Sequence, residues 1–144
     1  MQKVVLNITG VQQFDAEKDK IELTTVGTMR DDGAAYIIRY NEQPEPPAKP
    51  VKVNLRIQKD GSFVEMTRST SSGGSCLSIE KASRNLCNYT TPYGDILMGI
   101  YGKEIEINTS ENEGSFYFGY DIDINGAVSS INSVKIEYAV TKTN

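Results

Sequence analysis

Hydrophobic residues recur at every second position along much of this chain, and no segment carries them at a convincing helical spacing. In VKVNLRIQ, Val51, Val53, Leu55 and Ile57 alternate with Lys52, Asn54, Arg56 and Gln58. Side chains of a strand point to opposite faces in turn, so such a run buries one face and wets the other. KEIEIN and SVKIEYAVT repeat the pattern through Ile105 and Ile107, then through Val134, Ile136, Tyr138 and Val140. SFYFGYDIDI sets Phe116, Phe118, Tyr120, Ile122 and Ile124 on one face.

Glycine steps punctuate these runs at Asp32-Gly33, Asp60-Gly61, Glu113-Gly114 and Asn125-Gly126. Such dipeptides supply the positive φ angles of tight hairpins, so antiparallel strands follow. The pattern predicts strands near residues 2–14, 19–30, 34–42, 51–59, 62–70, 76–81, 86–93, 95–102, 103–110, 115–124 and 128–141, with some adjacent pairs joined as single bent strands. FDAEKDKIE, residues 14–22, has the composition of a helical turn but is short and lies between two strand patterns. NEQPEPPAKP (residues 41–50) reads as a loop because its prolines lack backbone donors, and STSSGGS (69–75) as a flexible connection. At 144 residues the chain suits one domain, residues 1–144, with one core. A meander of this many strands closes into a barrel or stacks as a sandwich, and closure removes exposed edges.

The stretch NYTTPYGDILMGIYG, residues 88–102, interrupts the alternation. Tyr89, Thr91 and Tyr93 share one parity and Ile96, Met98 and Ile100 the other. For both sets to face inward, one extra residue must lie between them, which predicts a β-bulge at Pro92–Gly94 bending one long strand at a barrel corner.

Composition removes several chemistries. Histidine is absent, which excludes Ser-His-Asp and Cys-His nucleophilic sites and the commonest metal-binding side chain. Two cysteines are too few for a four-thiolate zinc site, and GxGxxG, Walker A and GxSxG motifs are missing. No metal, cofactor or catalytic residue is assigned, and the chain is not read as an enzyme. Net charge is −4 with pI about 4.9, which disfavours nucleic acid because phosphate contacts depend on Lys and Arg. The stripe of Lys52, Arg56 and Lys59 is read as a solvated strand face. No apolar run approaches the about 18 residues that cross a membrane, and MQKVVLNITGVQQF alternates where a signal peptide would be continuously apolar. A cytoplasmic location is expected, with Cys76 and Cys87 as thiols; a hairpin turning near residues 81–84 would set them face to face, which leaves a regulatory disulfide as the alternative.

Three constellations carry a chemical alternative. DIDING, residues 121–126, matches the first half of an EF-hand loop through Asp121, Asp123, Asn125 and Gly126, but Asn132 stands where a bidentate Glu belongs, and a strand entering an Asn-Gly hairpin explains it better. Glu104 with Glu106, and Asp15 with Glu17 and Asp19, read as solvent faces or turns. Val64, Met66 and Arg68 share one parity: either that face lines the interior, bringing a guanidinium into an apolar lumen, or the strand ends by Thr67 and Arg68 is exposed. Eight tyrosines, four phenylalanines and no tryptophan suit an apolar wall with hydroxyl handles, or a barrel rim.

The YTTPYG step, followed by an alternating strand and then by IEINTSENEGSFYFGYDIDINGAVSSINSVKIEYAV as two long strands around an Asn-Gly turn, resembles the YwiB-like proteins, small bacterial calycin-like β-barrels of unassigned function. The resemblance runs from about Val64 onward and covers the N-terminal half in strand order only. STSSGGSCLSIEK departs from the family's more compact form. The resemblance implies a signature corner at Tyr89, Thr91, Tyr93 and Gly94, an interior-facing Arg68, and a barrel able to hold a small ligand. The expectation is a single all-β, antiparallel, calycin- or lipocalin-like barrel of eight to ten strands. It binds a small anionic or amphipathic ligand at one mouth, with Arg68 as anchor and Tyr89, Thr91 and Tyr93 around it. The alternative is a packed, ligand-free barrel acting through its surface as a protein-interaction or homodimerising module.

Overall fold

The structure, a computed structural model, describes residues 1–43, 49–71, 73–91 and 94–141, leaving aside the side chains of residues 89–91. The alternating runs form ten strands: β1 (Gln2–Phe14), β2 (Glu17–Asp31), β3 (Ala35–Glu42), β4 (Val51–Gln58), β5 (Phe63–Thr70), β6 (Gly73–Glu80), β7 (Arg84–Thr91), β8 (Gly94–Thr109), β9 (Glu113–Ile124) and β10 (Ala127–Val140). Their neighbours are antiparallel in one sheet of order β6-β5-β4-β3-β2-β1-β10-β9-β8-β7. Most strands lie beside the next in sequence, as in a meander. The centre is different: β1 pairs β10, from Val4 opposite Val140 to Gln13 opposite Ile131. No helix of the described residues is long and apolar enough to cross a membrane.

The two edge strands, β6 and β7, are consecutive in the chain, and the sheet curls until they meet as a nearly closed barrel. The expected hairpin near residues 81–84 is therefore a seam and not a ladder. Lys81 bridges to Gly102, Ala82 N–H donates to the Gly102 carbonyl at 2.8 Å, and Gly102 N–H donates to the Ser83 carbonyl at 3.2 Å. A Cβ at Gly102 would collide with the Glu80 carbonyl, so a side chain there would hold the seam open. Further along, the Cys87 thiol donates to the Cys76 carbonyl at 2.7 Å, and both cysteines are free.

The stretch at residues 88–102 corrects the bulge expectation. Tyr89 stands opposite Ile96 and Thr91 opposite Gly94, so the chain reverses between Thr91 and Gly94 and β7 and β8 form a hairpin. Reversal, with no inserted residue, brings Cys87 and Met98 face to face on the core side. Bulges occur elsewhere, between Gly102 and Glu104 in β8 and between Val128 and Ser130 in β10. The first joins two predicted strands into one of 16 residues. Glu113-Gly114 is not a turn either, because β9 begins at Glu113 and the reversal is closed by Ser110, whose N–H donates to the Glu113 carbonyl at 3.0 Å. Asn125-Gly126 does form the tight turn, with φ of 55° and 84°, the left-handed pair that type I′ hairpins require. Residues 14–22 are a β-hairpin, turning at Asp15 with φ 48°.

The alternating apolar face becomes the core. Leu6, Ile38, Leu55, Ile57, Phe116 and Phe118 are essentially inaccessible. Burial of each such side chain contributes about 1.5–3 kcal/mol, which is what holds an all-strand wall closed without helices. These side chains form one continuous hydrophobic cluster.

Candidate functional site

The two ends of the barrel differ chemically. At the end where β1, β5 and β9 begin, aromatic rings form a plug. Tyr36 and Phe116 lie 5.5 Å apart and Phe116 stacks on Tyr138 at 5.7 Å. The Tyr36 hydroxyl bonds Thr109 Oγ1 at 3.1 Å, the Tyr138 hydroxyl donates to the Ser110 carbonyl at 3.2 Å, and Lys59 Nζ sits 5.1 Å above the Tyr36 ring.

Toward the opposite end the same core-facing alternation opens. Ile8, Leu23, Leu77, Met98 and Ile122 are half-buried, and Ile96 and Ile124 beyond them are exposed. Arg68 belongs to this end. Strand β5 continues to Thr70, and Arg68 stands opposite Val53 of β4 and Ser75 of β6, in step with the buried Val64 and Met66. Its side chain is nevertheless 45% exposed and forms an ion pair with Glu42. Both sequence alternatives meet in this geometry: the backbone position shares the core parity, while the head group lies at the rim in water.

Two buried tyrosines feel the charge of that head group. Tyr40 precedes Glu42 on the same face of β3, and burial pushes its hydroxyl up to about 12, with the Glu42 charge adding and Arg68 opposing. Burial also raises Tyr120 of β9, again opposed by Arg68. Strands β5 and β9 are not neighbours in the sheet. Both hydroxyls stay protonated at neutral pH. The end therefore offers a cation and a half-open apolar wall, with both tyrosines buried and neutral.

The sequence singled out Arg68 but did not assign Glu42, Tyr40 or Tyr120 to the ligand-binding set. One signal was present: Tyr36, Tyr40 and Glu42 share a parity, so a strand that buries the tyrosines carries Glu42 to the same rim. Tyr89 and Thr91 lie on β7, opposite Ile96 and Gly94, with their side chains outside the description, and Tyr93 lies outside the described residues altogether. The DIDING carboxylates are engaged separately. Asp121 meets Lys103 at 2.8 Å, and Asp123 meets Arg84 at 2.7 Å while accepting from Gly126 N–H at 3.1 Å.

The family described as Domain of unknown function (DUF1934) matches residues 6–136 of the chain. The solved structure titled "Crystal structure of ywiB protein from Bacillus subtilis" matches with a TM-score of 0.82 at 17% sequence identity, covering 98% of this chain and 93% of that one. At that identity the likeness is one of fold, and it spans the N-terminal half as well as the C-terminal half. No curated protein matches the chain.

Proposed function

The chain belongs to the DUF1934 family, whose description assigns no chemistry, and from its barrel we propose that it binds a small amphipathic ligand with an anionic head at the end carrying Arg68. The observation that carries this reading is an asymmetry. One end is plugged by Tyr36, Phe116 and Tyr138, whereas the other leaves Ile8, Leu23, Met98 and Ile122 half-open beside a guanidinium. The ligand's apolar part rests against these half-buried residues in the mouth. An exposed ion pair contributes only about 0–1 kcal/mol, so a ligand carboxylate or sulfonate displaces Glu42 at little cost.

A fluorescence titration with the anionic amphiphile 1-anilinonaphthalene-8-sulfonate tests this. Saturable binding that weakens about tenfold in Arg68→Met, as expected for loss of one charge-assisted contact, supports it. Equal affinity in the variant removes Arg68 as the anchor.

A second reading has its own observation. On the outer face Leu86 is diagonal to Leu97 and Tyr101 across β7 and β8, and they are 61%, 55% and 41% exposed. This apolar group supports a surface-interaction or homodimerising module. Light scattering on wild type and Leu97→Lys separates the readings: a dimer that the lysine disperses favours the second.

A further inference from the structure

Across the outer surface of the first five strands, hydrogen-bond register lines up one row of polar side chains: Lys3 opposite Thr28, Thr28 opposite Arg39, Arg39 opposite Asn54, and Asn54 opposite Thr67. A second row beside it sets Asn41 opposite Lys52 and Lys52 opposite Ser69. Directly opposed side chains in antiparallel strands lie about 5 Å apart and diagonal ones about 7–8 Å, so Arg39 and Lys52 are diagonal neighbours. These rows line a cleft of about 560 Å3. That volume is within the range of small-molecule sites.

The cleft gathers cations that these ion pairs leave unmatched. The chain is net acidic, and several of its cations are matched: Arg56 by Asp32, Lys59 by Asp31, Arg68 by Glu42, Arg84 by Asp123 and Lys103 by Asp121. Cross-strand pairing favours such opposites. Lys3, Arg39 and Lys52 have no carboxylate partner among the described residues, and none of the described residues lining their cleft is Asp or Glu. Arg39 spends Nε on the Asn54 side-chain carbonyl at 2.8 Å, which fixes the plane of its guanidinium. A second cleft of about 410 Å3 adjoins the first through Lys52 and Ser69 and adds Lys49.

We propose that this outer cleft is an anion site, separate from the barrel mouth, that takes a phosphate-bearing small molecule. Arg39 supplies the planar fork that suits phosphate, Lys3 and Lys52 supply point charges on either side, and the Thr28, Thr67 and Ser69 hydroxyls supply neutral donors. A single-stranded nucleic acid fits less well, because base recognition of that kind relies on aromatic stacking platforms and Tyr40, the cleft's one aromatic residue, is buried.

The experiment is an amide NMR titration with inorganic pyrophosphate at about physiological ionic strength, in wild type, in Arg39→Gln/Lys52→Gln and in Arg68→Met. Saturable shifts confined to residues 3, 26–28, 39–41, 52–54 and 67–69 are expected, about tenfold weaker in the double variant and unchanged in Arg68→Met. All the replaced side chains are exposed, so the fold persists, and the spectra of the free variants verify it. Shifts that do not saturate, or that are equal in the double variant, overturn the site. Binding lost in Arg68→Met moves the anion to the barrel mouth, and tighter binding of a twelve-nucleotide single strand than of pyrophosphate replaces the small molecule with nucleic acid.

Discussion

Arg84 grips Asp123 across the bare Cα of Gly99, with Nε donating to Oδ2 at 2.8 Å and Nη2 to Oδ1 at 2.7 Å. Gly99 lies on β8 directly opposite Asp123 of β9, while Arg84 lies on β7, so the fork spans two strand gaps and ties the edge strand β7 to β9. Bidentate guanidinium–carboxylate contacts are more specific than single ones because both partners are planar.

A Cβ at Gly99 would collide with both the guanidinium and the carboxylate, so Gly99→Ala breaks the fork. The expected result is a melting temperature lower by about 3–8 °C, with the sheet otherwise intact. Differential scanning calorimetry checks it, and a variant that melts with wild type would show that the fork contributes nothing to holding β7.

Acid acts on the same pair. The Arg84 guanidinium, followed by the Gly126 N–H, holds the Asp123 carboxyl below the usual carboxylate range despite its partial burial. The unfolded chain then binds a proton first, so this contribution is present above pH about 4 and is lost as pH falls through the lower folded value. Asp123→Asn is expected to be less stable at neutral pH and to lose less on acidification. Urea midpoints measured from pH 7 down to pH about 2 decide it, and parallel curves would remove Asp123 from the acid response.

Alkali tests the other end of the barrel. Burial, reinforced by Glu42, pushes Tyr40 from 10.0 up to about 12. Because the unfolded chain releases that proton first, stability is complete below the unfolded value and declines as pH rises toward the folded one. Tyr40→Phe is expected to flatten the decline between these values. Arg68→Met steepens it by removing the charge that favours the phenolate. Denaturant midpoints across that range, alongside ultraviolet titration of the phenolates, give the answer.

The cysteines differ in reach. Cys76 is exposed, whereas burial pushes the Cys87 thiol up and its proton is directed at the Cys76 carbonyl. Iodoacetamide at pH 8 is expected to label Cys76 promptly and Cys87 only as the seam between β6 and β7 opens. Mass spectrometry of peptides over time reads the two rates, and equal rates would mean that the seam is open in solution.

Much of the fold was legible because alternation is local. Val51 to Gln58 states its two faces within eight residues, and Asn125-Gly126 states its turn within two, whatever lies elsewhere. The joints were less legible. A bulge and a hairpin both bring Cys87 and Met98 to one face, and the parity count alone cannot distinguish an added residue from a reversal. At the candidate site Arg68 was readable as an anomaly in an apolar row, but its partner was not: Glu42 is separated from it by the whole of β4, and only the β3–β4–β5 register brings them together.

By itself, the amino-acid sequence determined that the chain is antiparallel β with one face buried, since side-chain direction in a strand repeats every two residues without reference to any partner. Tertiary structure decided which strands meet: β1 against β10, the seam of β6 and β7, Arg84 over Gly99, and Arg68 against Glu42. Those relations depend on closure and register, which many pairings of the same alternating strands satisfy locally and only the packed whole selects.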